Sequence, residues 1–261
     1  MQGWRVGMSL LCLLALPVLA RAAPVLDLPQ YSAIDRDALE RYAGRTLNRQ
    51  ESRARAAGEL GCVRYCAMIG RAFARISRAA REQGEPAGGP VHWEMVITTT
   101  RGEAALSLPG GHLLISEGMI AELRLTEAEV AFILAHEAAH VLLQHEAQAL
   151  DFLQATMTPR GVRRSVWDLY AELDYDTGAL LRLQSLMQQS ELDADFAGML
   201  LGAQAGYDPA AMISALSKLA AGEQRRAGIV RTHPAWVQRL AAAKKALPMA
   251  GRLFDVTTAG H

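Results

Sequence analysis

His136-Glu137-Ala138-Ala139-His140 sets two imidazoles four residues apart, with a carboxylate beside the first. On a helix such side chains lie one above the other, so both rings can turn a nitrogen toward one Zn²⁺ at about 2.0–2.1 Å. Glu137 can then reach a water held by the metal and take its proton. Metal-assisted hydrolysis is the chemistry that this spacing suits.

Two histidines leave a catalytic zinc one donor short, because it needs three protein ligands and an open position. A metzincin would carry glycine three residues after His140 and histidine six after it, where this chain has Leu143 and Glu146. That class is excluded. A glutamate from a following helix is the remaining common solution, and Glu191 is the best candidate. Small and apolar residues flank it (Ala194, Phe196 to Leu201), so its carboxylate is costly there without a charged or metallic partner. Asp195, one turn beyond Glu191, can accept the other ring N–H of a ligand histidine and so fix its tautomer. Asp193 reads as an acid favoured at a helix start. His145 falls about 500° around a continuous helix from His140, off the ligand face. His145, His92 and His261 are given surface or partner roles, and His112 a place at the border of the cleft.

These side chains need a scaffold. Ser32 to about Arg81 is helical in character, with Ser32 as cap and a division at Gly58 and Gly61. Three β-rich stretches follow: Val91–Thr100, Ala104–Leu108 and His112–Ser116, with a strong turn at Pro109-Gly110-Gly111. A small antiparallel sheet is predicted. Thr126-Glu127-Ala128-Glu129 is a capping box opening the helix of the His pair, whose interior is apolar nearly all round and therefore buried. Thr158-Pro159-Arg160-Gly161 marks a break. Residues 151–189 are otherwise mixed, and a second buried helix is predicted from near Ser190 to about Ala205. Asp208-Pro209 and Thr232-His233-Pro234 begin two more. The fold class is α+β, mainly α.

Arg5, an apolar run from Val6 to Ala20, and Ala20-Arg21-Ala22 together read as a secretory signal over residues 1–22. A retained N-terminal anchor is the alternative. No later stretch has the apolar length of a membrane helix. Residues 1–22 hold two arginines and no acid, so 25 basic and 27 acidic side chains remain, and a net charge of −2 gives no pointer to nucleic acid. Residues 23–90 form an N-terminal helical segment packed on a catalytic domain of residues 91–261. Cys62 and Cys66 are spaced for a local disulfide, which an exported compartment permits, or for two free thiols.

Ala135-His136-Glu137-Ala138-Ala139-His140, followed by Glu191-Leu192-Asp193-Ala194-Asp195-x-x-Gly198, resembles the HtpX/Ste-type family of zinc metallopeptidases, a gluzincin group with periplasmic members. Leu108 to His112, Gly206-Tyr207-Asp208-Pro209, and Thr232-His233-Pro234 with Arg239 match the family's order over roughly residues 90–245. The resemblance implies one Zn²⁺ per chain on His136, His140 and Glu191, Glu137 as base, and polypeptide substrates. It departs at Ala104-Ala105-Leu106, where the family often has Asn-Ala-Phe, and at Phe196, where it often has Arg.

An exported, periplasmic zinc endopeptidase of envelope protein quality control is therefore expected, acting on unfolded or misassembled proteins. An extended substrate would add to an edge strand at Ala104, Ala105, Leu106, Ser107 and Leu108. From the resemblance, His233 either fills the open metal position as a latch or contributes to catalysis. Arg239 pairs with the acids around the site or stabilises the oxyanion. The alternative function is a chaperone-like assembly factor with latent or no proteolysis.

Overall fold

The computed structural model describes residues 24–29, 33–86, 89–100, 105–223 and 234–259. The signal segment, Ser32, Ala104, Thr232, His233 and His261 lie outside these residues. Helix α1 (Arg36–Ala56) starts at Asp35, whose side chain accepts the Ala38 N–H at 3.0 Å. It ends just before Gly58, and α2 (Cys66–Glu82) begins after Gly61. Strands β1 (Glu94–Thr98), β2 (Ala105–Leu108) and β3 (His112–Ser116) lead into α3 (Glu117–Leu123) and α4 (Glu127–Leu142). Next come α5 (His145–Met157), α6 (Val166–Tyr175), α7 (Thr177–Gln204), α8 (Ala210–Glu223) and α9 (Trp236–Ala259). The described chain is mainly helical with one small sheet.

That sheet is mixed rather than antiparallel. Its order is β1-β3-β2, with β3 parallel to β1 and antiparallel to β2. The turn at Gly110 (φ 93°) and Gly111 (φ 102°) closes the β2–β3 hairpin as expected. β3 carries the continuous run Leu113-Leu114-Ile115, and a strand buried along its length belongs in the centre of a sheet. β1 pairs with the other side of β3 and runs in the same direction.

Helix α4 opens on the expected capping box: Thr126 Oγ1 accepts the Glu129 N–H at 3.3 Å, and Glu129 Oε2 accepts the Thr126 N–H at 2.7 Å. Val130, Ala131, Leu134, Ala135, Ala138 and Ala139 are wholly buried. Its main partner is α7, and glycines set how closely the two approach. A Cβ on Gly198 would come within 2.8 Å of the His136 nitrogen, and one on Gly202 would overlap the Phe132 ring. The backbones meet where the His pair sits.

α7 begins thirteen residues before the predicted start near Ser190, capped by Asp176 accepting the Gly178 N–H at 2.7 Å. Leu183, Glu191, Ala194, Gly198 and Leu201 continue one buried stripe through the segment, so nothing stops the helix at Ser190. Glu191, Asp193 and Asp195 are thus mid-helix, and the helix-start explanation of Asp193 does not apply. The main core joins α2, β3, α4, α7, α8 and α9. A second cluster, with Leu39, Leu150, Leu153, Leu169 and Leu183, joins α1, α5, α6 and the first turns of α7.

Candidate metal centre

α4 presents His136, Glu137 and His140 toward the middle of α7, which presents Glu191 and Asp195. The two Nε2 atoms lie 3.1 Å apart. Glu191 Oε2 is 3.6 Å from His136 Nε2, and Oε1 is 3.5 Å from His140 Nε2. A tetrahedron of 2.0–2.1 Å bonds has edges of about 3.3–3.4 Å. Two imidazoles and one carboxylate at these separations therefore fit a zinc ion, and the three residues can hold a metal.

Behind the donors, Asp195 Oδ1 lies 3.0 Å from His136 Nδ1. Arg239 of α9 grips Asp195 with two hydrogen bonds, Nε to Oδ2 at 2.7 Å and Nη2 to Oδ1 at 2.6 Å, and places Nη1 3.1 Å from Glu191 Oε2. Its guanidinium packs 4.8 Å over the Trp236 ring. Burial works against the Asp195 charge, but Arg239 and His136 outweigh it and hold its pKa below the ordinary value. Burial likewise opposes a charged His136, yet the Asp195 contact lifts its pKa. His140 is driven well down by burial and by His136 beside it. Burial raises the pKa of the Glu137 carboxyl above its ordinary value, partly offset by His136 and by Ser107.

β2 is an edge strand among the described residues, and it brings Ser107 Oγ within 2.9 Å of Glu137 Oε2 as a donor. Ala105, Leu106 and Leu108 share that strand; Ala104 is outside the described residues. Phe196 stands on the exposed side of α7 at 43 % exposure, so that departure from the family leaves the three donors untouched. His112 pairs with Glu94 across β3 and β1.

His145 corrects the sequence reading. α4 does not continue: Leu143 closes it, Gln144 takes a left-handed conformation (φ 55°, ψ 37°), and α5 starts at His145. The break folds the ring back, so its Nδ1 lies 2.9 Å from His140 Nδ1. An angle counted along one helix could not reveal this contact, and no Gly, Asn or Pro marks the break. Burial lowers the pKa of His145 to about 4. Cys62 and Cys66 form the local disulfide, with Cα atoms 5.6 Å apart, but only Cys66 is helical.

A helix pair with a His-Glu-x-x-His face opposite a glutamate defines a metallopeptidase-type metal site. Residues 71–247 match the model of peptidase family M48, and the chain belongs to that family. It is 27% identical over 161 residues to the mitochondrial metalloendopeptidase OMA1 of Schizosaccharomyces pombe, covering 60% of this chain and 48% of the relative. The mitochondrial metalloendopeptidase OMA1 of Saccharomyces cerevisiae is also 27% identical, over 63% of this chain and 50% of its own. The beta-barrel assembly-enhancing protease of Escherichia coli is 33% identical over 131 residues, 45% of this chain and 27% of its own. The chain spans half or less of the length of these relatives.

Proposed function

We propose that this chain is an exported zinc-dependent endopeptidase of the gluzincin type that cleaves unfolded or misassembled envelope proteins. The observation that carries the reading is the convergence of His136 Nε2, His140 Nε2 and Glu191 on one point, with Glu137 adjacent. Zinc bound there supplies a Lewis acid and brings the pKa of its water toward about 7. The Ser107 hydroxyl engages Glu137 Oε2 and orients the carboxylate, which takes the proton of the attacking water and hands it to the departing amine. Arg239 and Asp195 hold His136 and Glu191 in place during that transfer. An extended polypeptide adds to the edge of β2, backbone to backbone, which suits a substrate without a fixed sequence.

Three observations support the cellular role: the signal-like segment before residue 23, the Cys62–Cys66 disulfide, which belongs in an oxidising compartment, and the similarity to the beta-barrel assembly-enhancing protease. His233 stands six residues before Arg239, and a role at the open metal position, as latch or catalytic group, remains part of the proposal. His233→Ala raises proteolysis if it is a latch and lowers it if it is catalytic.

The test is direct. Bound metal is measured in the purified chain, and casein cleavage is compared for the native protein, Glu137→Gln and a chelated sample. Stoichiometric zinc with cleavage lost in both comparisons supports the peptidase. Zinc without cleavage favours the chaperone-like assembly factor, and absence of both sinks the metal site.

A further inference from the structure

We propose that His145 is a positioning residue: it fixes the tautomer and ring orientation of His140 for metal binding. The proposal rests on the metal reading of His136, His140 and Glu191. His140 Nε2 faces the other two donors, 3.1 Å from His136 Nε2 and 3.5 Å from Glu191 Oε1. To donate to a metal, that nitrogen must carry a lone pair, so the single proton of the neutral ring sits on Nδ1. The atom 2.9 Å from Nδ1 is His145 Nδ1. It must accept, which places the proton of His145 on Nε2. One ligand role thus sets the tautomers of two rings.

The backbone is shaped for this contact. Gln144 is one of two non-glycine residues with positive φ among the described residues, a conformation costing roughly 1–2 kcal/mol. Without that turn His145 would point away from His140. The ring is 8 % exposed and stands nearly perpendicular to His140, at 79° with centroids 4.8 Å apart. A buried imidazole nitrogen calls for a partner, and this one has a ligand's ring N–H. The centre is therefore asymmetric. His136 is oriented by a carboxylate that Arg239 clamps, and His140 by a neutral ring.

Zinc affinity of the purified, metal-stripped chain, titrated against a chromophoric chelator, tests the assignment. His145→Leu keeps the bulk and removes the acceptor, and should weaken zinc binding about 10–100-fold. His145→Asn keeps an acceptor oxygen near the Nδ1 position and should stay within about threefold of native. Equal affinity in the Leu variant, or an Asn variant as weak as Leu, overturns the proposal. A native chain that takes up no zinc overturns the metal reading as well, which is a different result. Should the Leu variant not fold, long-range ¹H–¹⁵N spectra of the native zinc-loaded chain decide: a proton on His145 Nε2 and none on His145 Nδ1 is expected, and a proton on His145 Nδ1 refutes it.

Discussion

Glu137 and Arg239 separate chemistry from support within one cluster. Glu137→Gln keeps the size and the metal donors, so cleavage should fall about 10²–10⁴-fold while zinc affinity changes little, measured by peptide turnover and chelator competition. Arg239→Ala should act the other way. It leaves Asp195, 2 % exposed, and Glu191 without their shared cation, and losing one partner of a buried pair costs about 3–5 kcal/mol. Urea unfolding of the variant measures that loss. His136, Glu137 and His140 were legible because helical spacing alone brings them together. Glu191 and Asp195 were legible because carboxylates among alanine, glycine and leucine demand an explanation. The Ser107–Glu137 and His145–His140 contacts were not. The first joins a strand to a helix across thirty residues of sequence, and the second needs a helix break with no compositional mark.

Helices α4 and α7 carry the centre on touching backbones. Gly198→Ala would press a methyl against the His136 backbone, so stability should drop by about 1–3 kcal/mol and zinc affinity should fall with it. The two losses can be followed by denaturant unfolding and metal titration of the same sample. A second element-scale device ties down the loop that leads into α2. Glu117, 6 % exposed at the start of α3, accepts backbone N–H groups of Val63, Arg64 and Tyr65. Burial opposes its charge, but those bonds win and lower its pKa from 4.5. Its stabilisation is therefore complete above about pH 4.5 and is lost as pH falls through the lowered folded value. Glu117→Gln should flatten stability against pH in that acid range, followed by thermal unfolding from pH 6 downward. The α4 capping box and the β2–β3 turn could be read from residue types because each is local. The start of α7 and the direction of β1 could not. Both depend on what the segments pack against: a long buried stripe in one case, a central apolar strand in the other.

Across the whole molecule, two apolar clusters and one covalent link hold the framework. The four-residue loop closed by Cys62–Cys66 restricts the unfolded chain, and removing the link by reduction or by a double Cys→Ser change should cost about 2 kcal/mol in denaturant unfolding. The sequence left disulfide and free thiols open, because spacing alone cannot show whether the first cysteine lies inside the helix. The approach of α4 to α7 rests on apolar contact between Phe132, Ala135, Gly198 and Gly202, not on the three donors. A zinc finger, by contrast, unfolds without its ion. If the centre holds zinc as proposed, occupancy and folding are separable: a cell short of zinc would accumulate an intact, idle protein that regains activity by loading alone, with no need to refold.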